Sequence, residues 1–222
     1  MSIPKVLLFI LFAYVSSKNA VIIGDSRVCG FAYSVLGMDY TYHNSVYGTG
    51  SYIINGSGKN YGGHLVKIVA EVGASYSTFT NKSKAVYTGV HNILGKAAAG
   101  TVVLMWLGVN NLDSTSTFNY YLDLATKYKT LTFYAVSVAG VSQSKSGISN
   151  NTIKTFNTNM RTKVNNAKLS NFKYKSIVNG DDVTQVKGST TFYISDSTTD
   201  AYGVHFTGSG NKECLNALLS GI

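Results

Sequence analysis

Short apolar runs and amphipathic stretches alternate down the chain. Residues 19–24 (NAVIIG) predict a buried strand, and residues 26 to about 36 predict a helix that begins where the strand ends. A second strand is predicted over 64–72 and a helix over 82–96. Residues 101–107 (TVVLMWL) are apolar without interruption, the mark of a strand buried on both faces. A helix over 116–127 and a strand over 131–138 follow. Then Ile153, Phe156, Met160, Val164 and Ala167 recur every three or four positions, the period of a helix with one buried face. Residues 172–178 alternate as a strand does, and Cys214, Leu215, Leu218, Leu219 and Ile222 form the stripe of a closing helix. Between 39 and 63 the pattern lapses. Tyr40, Tyr42, Tyr47, Tyr52 and Tyr61 lie there among Gly, Asn and Ser, which predicts a loop or irregular hairpin. Strand and helix alternation of this kind predicts an α/β domain with a mostly parallel sheet.

The first seventeen residues stand outside that alternation. Lys5 precedes ten uninterrupted apolar residues, 6–15, and Ser16, Ser17 and Lys18 follow. A charged start, a short apolar run and small residues describe a secretory signal, with cleavage after Ser17 and a secreted product. Ten residues span only about 15 Å as a helix, half the roughly 30 Å hydrocarbon core, so no stable membrane span is expected. Residues 18–222 then form one domain. Three N-x-S/T sequons, at Asn55, Asn81 and Asn150, matter only in a host that glycosylates.

Composition narrows the function classes. The 222 residues are 45% hydrophobic and 13% charged, enough apolar side chain for a sizeable core. The formal charge is +9, but only Arg27 and Arg161 are arginines and the lysines are scattered. Nucleic-acid binders concentrate such charge on one stripe, so a nucleic-acid partner is not expected. The chain has no His, Cys and Glu pattern for a metal and no phosphate-cradling loop, so no cofactor is expected. Cys29 and Cys214 are the two cysteines. An even count in an exported chain suggests a bridge, tying the helix after Ser26 to the closing helix, with two buried free thiols as the alternative.

In parallel α/β sheets the ligand crevice lies at the carboxyl ends of the strands. Those ends carry Ser26 in GDSR, Gly73 in VGAS and Asn110 in GVNN, and His205 stands late in the chain in GVHFT. Singly, these residues read as a helix N-cap, two turn residues and a surface histidine. Together they suit acyl transfer. A serine hydroxyl becomes a nucleophile once an imidazole takes its proton. The oxyanion then needs fixed donors, which backbone N–H groups and an asparagine amide supply.

In this order the blocks resemble the SGNH/GDSL hydrolases: IGDSR (23–27), a lone glycine, LGVN (107–110) and a C-terminal histidine. The wording SVAGV (137–141) and NNTIKTFN (150–157) extends the resemblance toward a secreted-type subgroup, across essentially the whole mature chain. The resemblance implies a three-layer α/β/α sandwich on a mostly parallel five-stranded sheet. It implies hydrolysis of a small-molecule or carbohydrate ester without metal or cofactor. Ser26 matches the nucleophile, His205 the general base, and Ser26, Gly73 and Asn110 the oxyanion donors.

Two positions depart from that family's pattern. Asn111 stands where an aspartate is usual, and Tyr202 stands three residues before His205, where the triad acid is usual. Asp200 is the nearest acid upstream, about 16 Å away if the chain is extended, so it reaches His205 only if the chain turns back, as Gly203 permits. Asp196 lies beyond it. His43, His64 and His91 lie outside the C-terminal block and are poorer candidates for the base. Two other functions fit the same residues: a catalytically impaired relative that binds glycans through the Tyr-rich segment, and a flavodoxin-like small-molecule binder.

Overall fold

The computed structural model describes residues 18–42, 49–180, 182–187 and 203–222. Residues 1–17, read above as a secretory signal, and His43, Asp196, Asp200 and Tyr202 lie outside the described residues. Strand β1 (Lys18–Gly24) leads into α1 (Ser26–Ser34), then the hairpin β2 (Tyr52–Tyr61) and β3 (His64–Glu71). The short α2 (Tyr76–Thr80), α3 (Ala85–Gly95), β4 (Val102–Trp106), α4 (Ser114–Lys127) and β5 (Thr132–Val136) come next. A single turn, α5 (Gln143–Ser146), precedes α6 (Asn150–Ala167) and β6 (Phe172–Lys175). The ribbon of β7 (Val178–Asn179) and β8 (Asp182–Val186) and the closing α7 (Gly208–Leu219) complete the order.

The main sheet runs β2-β3-β1-β4-β5-β6, and every pair from β3 to β6 is parallel. The five expected parallel strands are therefore present. Strand β2 adds a sixth, antiparallel to β3. Right-handed crossovers put α1 on one face and α3, α4 and α6 on the other. Accordingly α1 packs on α7, and α4 packs on α6. Between these layers the sheet is dry: Ile22, Ile23, Ile68, Val69, Val103, Leu104 and Phe133 have no exposed surface.

Three expectations need correction. The segment read as loop over 39–63 contains β2, whose turn is the two-residue Gly62–Gly63 with φ of 55° and 80°, the geometry of a tight hairpin. Its alternation is masked because the register shifts between Asn55 and Lys59 and one face meets solvent. The strand expected over 172–178 leaves the sheet at Lys175, since the Ile177 N–H donates to the Ser137 hydroxyl at 2.9 Å. Cys29 and Cys214 are both buried free thiols, not a bridge. Burial pushes both above the usual thiol range, Cys214 to about 12.

Candidate active site

Strand β1 lies between β3 and β4, and its last residue Gly24 pairs with Ala70 on one side and Trp106 on the other. The chain segments that leave these strands therefore emerge side by side. Ser26, Gly73 and Asn110 sit two, three and four residues beyond that level. The chain reverses its direction across the sheet at β1 and β4, the place where open α/β sheets hold ligands. Gly24 is required here by close approach: a Cβ would collide with Val28 Cγ2 and the Trp106 carbonyl oxygen.

Ser26 is the first residue of α1 and is buried. Asp25 caps that helix, its Oδ1 accepting the Arg27 N–H at 3.0 Å. The Ser26 N–H belongs to the first turn, whose donors have no helical acceptor and carry the positive end of the helix dipole. The Gly73 N–H has no acceptor among the described residues, and Gly73 has a φ of 75°. The Asn110 amide donates to the Ala74 carbonyl at 2.9 Å, which ties the β4 end to the β3 end. Its second hydrogen has no partner among the described residues. Gly108 lets the turn close. At φ 141° a Cβ would stand 2.8 Å from both Phe156 Cζ and Val138 Cγ2. Asn111 serves this turn through acceptance, its Oδ1 taking the Asp113 N–H at 3.0 Å. An amide oxygen does that as well as a carboxylate.

His205 lies in the segment that enters α7, half-buried. Gly203, two residues before it, has a φ of 67°, in the left-handed region that glycine adopts readily. Asp25 is close enough that the charge of His205 acts on its carboxyl. Burial is the dominant influence and raises the Asp25 pKa from 3.8 to about 6, with Arg27 and, more weakly, His205 pulling it back. The other described histidines stand elsewhere. His64 opens β3 at the amino end of the sheet, and the His91 Nδ1 is 2.7 Å from the Tyr128 hydroxyl on the α3 side.

The remaining sequence blocks prove to be one construction. Two of the three asparagines of NNTIKTFN, Asn150 and Asn157, grip the two ends of the loop that follows β5. Asn157 accepts from the Val138 N–H at 2.7 Å and donates to its carbonyl at 2.8 Å. Asn150 does the same at Val141, at 2.9 and 3.1 Å. Between them, Arg27 donates to the Ala139 and Gly140 carbonyls, and the Gly140 N–H donates to the Val183 carbonyl of β8 at 2.7 Å. The loop then holds the histidine segment, since the Ser142 N–H donates to the Gly203 carbonyl at 2.8 Å. Reading the sequence by residue roles missed Asp25, Arg27, Asn150 and Asn157. Their signal was their place inside the matched blocks. Among the described residues, no cluster of His, Cys, Asp or Glu is placed to hold a metal ion.

No protein-family model and no curated protein matches this sequence. Solved structures do match its fold. The family 3 carbohydrate esterase of Clostridium thermocellum superposes with a TM-score of 0.51 at 15% identity, over 90% of this chain and 92% of the esterase. A GDSL-like lipase from Parabacteroides merdae gives 0.50 at 11% identity, over 92% and 94% of the two chains. A Streptococcus pneumonia protein named for platelet activating factor gives 0.54 at 14% identity, over 93% and 85%. The chain therefore has the three-layer α/β/α fold of the SGNH/GDSL hydrolases.

Proposed function

We propose that this protein is an exported serine esterase that hydrolyses short acyl esters, O-acetyl groups on carbohydrate among them. One observation carries the reading. Ser26, Gly73 and Asn110 leave adjacent strands at the crevice, and the loop after β5 brings the His205 segment to the same edge. In this reading His205 takes the Ser26 proton as Oγ attacks the ester carbonyl carbon. The N–H groups of Ser26 and Gly73 and the open amide hydrogen of Asn110 stabilise the oxyanion. Collapse expels the alcohol, which takes the proton from His205, and leaves an acyl-serine. Water, deprotonated by His205, then releases the acid and restores Ser26. Asp200 is the proposed partner that orients the imidazole.

The carbohydrate class is supported by the fold shared with a carbohydrate esterase and by a row of aromatic rings. Tyr40 lies 5.5 Å from Tyr33 and 5.9 Å from Tyr42, and the outer two rings face solvent. Those faces suit sugar packing, and they also favour a second reading, a glycan-binding relative with little turnover. A panel of acetyl and longer esters, with a fluorophosphonate probe, separates the two. Ser26→Ala is expected to abolish turnover and labelling, and Asp200→Asn to lower turnover by about 10⁴, as amide replacement of a triad acid does in serine proteases. Protein recovered from the medium is expected to begin at or near Lys18. Folded wild-type protein that neither turns over esters nor takes the probe overturns the esterase reading in favour of glycan binding.

A further inference from the structure

Arg27 is fully buried immediately beside the proposed nucleophile, which is costly for a cation unless every hydrogen-bonding direction is met. Its guanidinium donates to three carbonyls. Nε donates to Val204 at 2.7 Å, Nη1 to Ala139 at 2.6 Å and Nη2 to Gly140 at 2.7 Å. The guanidinium carbon also lies 4.9 Å from the centre of the Phe206 ring, which in turn stacks on Trp106 at 6.1 Å. Val204 and Phe206 are the two neighbours of His205. The side chain thus holds the histidine from both sides while its own backbone is part of the Ser26 turn.

We infer that Arg27 is a positioning residue, a planar clip that fixes where His205 stands relative to Ser26. The inference rests on the esterase reading of those two residues. The loop that supplies two of the three carbonyls is pinned at both ends by Asn157 and Asn150, so the acceptors are aimed before the guanidinium arrives. In the histidine segment the Val204 carbonyl goes to Arg27 and the Gly203 carbonyl to the Ser142 N–H. Arginine suits the task because its rigid fork reaches three acceptors on two separate segments, which a lysine ammonium on a flexible stem does not reproduce. A base displaced by about 1 Å loses on the order of 10²-fold in rate. A purely structural arginine would lower stability and leave the turnover of the folded fraction intact.

The test uses the full mature chain with Arg27→Lys and Arg27→Ala beside wild type. Thermal melts give the folded fraction of each, and kcat and KM are read on one acetyl ester. The Arg27→Lys variant is expected to lose about 10- to 100-fold in kcat per folded molecule with KM within about two-fold, as a misplaced base predicts. Millimolar methylguanidine is expected to restore activity to Arg27→Ala and to leave wild type unchanged, whereas methylammonium restores nothing. The His205 ring signals in NMR spectra are expected to move in both variants. A kcat for Arg27→Lys within about three-fold of wild type, or one that falls only with the folded fraction, overturns the inference. If wild type itself is inactive, the esterase reading fails, and unmoved His205 signals in Arg27→Lys then overturn the positioning role separately.

Discussion

One amide hydrogen of Asn110 is committed to the Ala74 carbonyl, which fixes the plane of the group and aims the other hydrogen. A donor fixed in this way needs no reorganisation when charge develops, the condition under which such groups matter most. Asn110→Ala is therefore expected to lower kcat by about 10²–10³ with KM little changed. Steady-state kinetics on an acetyl ester, with circular dichroism to confirm the fold, checks it, and a loss below about three-fold would remove Asn110 from the oxyanion site. The strand-end positions of Ser26, Gly73 and Asn110 were legible in the sequence because each follows an apolar run that announces a strand. The roles of Asp25 and Arg27 were not. A charge becomes buried only through contacts made far along the chain, and nothing near position 27 announces carbonyls 112 and 113 residues away.

At the scale of elements, α6 does two jobs with one face. Ile153, Phe156, Met160 and Val164 pack into the core, and Asn157 sits among them, buried, with both polar ends on the Val138 backbone. Period alone identified the helix, yet a single polar residue within an apolar stripe gave no hint of its partner. The edges of the sheet show the opposite difficulty. Strand β2 carries Gly56, Gly58 and Asn55 with a register shift, so its local composition reads as loop and only pairing with β3 makes it a strand. The same logic hid β7 and β8, which are too short to show a period. Asn157→Ala leaves a buried N–H and a buried carbonyl without partners, each worth about 1–3 kcal/mol. The expected loss is roughly 2–6 kcal/mol in urea unfolding, larger than for Asn150→Ala at the more open end of the loop. Equal midpoints for Asn157→Ala and wild type would refute this.

At the scale of the whole molecule, the strand order makes the site. Placing β1 between β3 and β4 gathers residues 26, 73 and 110, which no local pattern brings together, and the β5 loop carries the histidine segment to them. That gathering buries the Asp25 carboxyl under the crevice, and the result appears in the stability of the entire fold. Folding raises the Asp25 pKa from 3.8 to about 6, chiefly by removing water. A carboxyl whose native value lies above its unfolded value binds its proton more tightly when folded. Its stabilising contribution is present in full below about pH 4 and is lost as pH rises through about 6, so by pH 7 this group has withdrawn about 3 kcal/mol. Asp25→Asn retains an oxygen to accept the Arg27 N–H and removes the titration. The variant is expected to flatten the stability profile between pH 4 and pH 7 relative to wild type. Urea midpoints at pH 4, 5.5 and 7 check this, and parallel profiles for the two proteins would show that Asp25 titrates alike in the folded and unfolded chain. The group that burdens the fold near neutral pH is the cap of α1, beside Arg27 and within the field of His205. The proposed active site is thus assembled where the fold bears the cost of a buried charge.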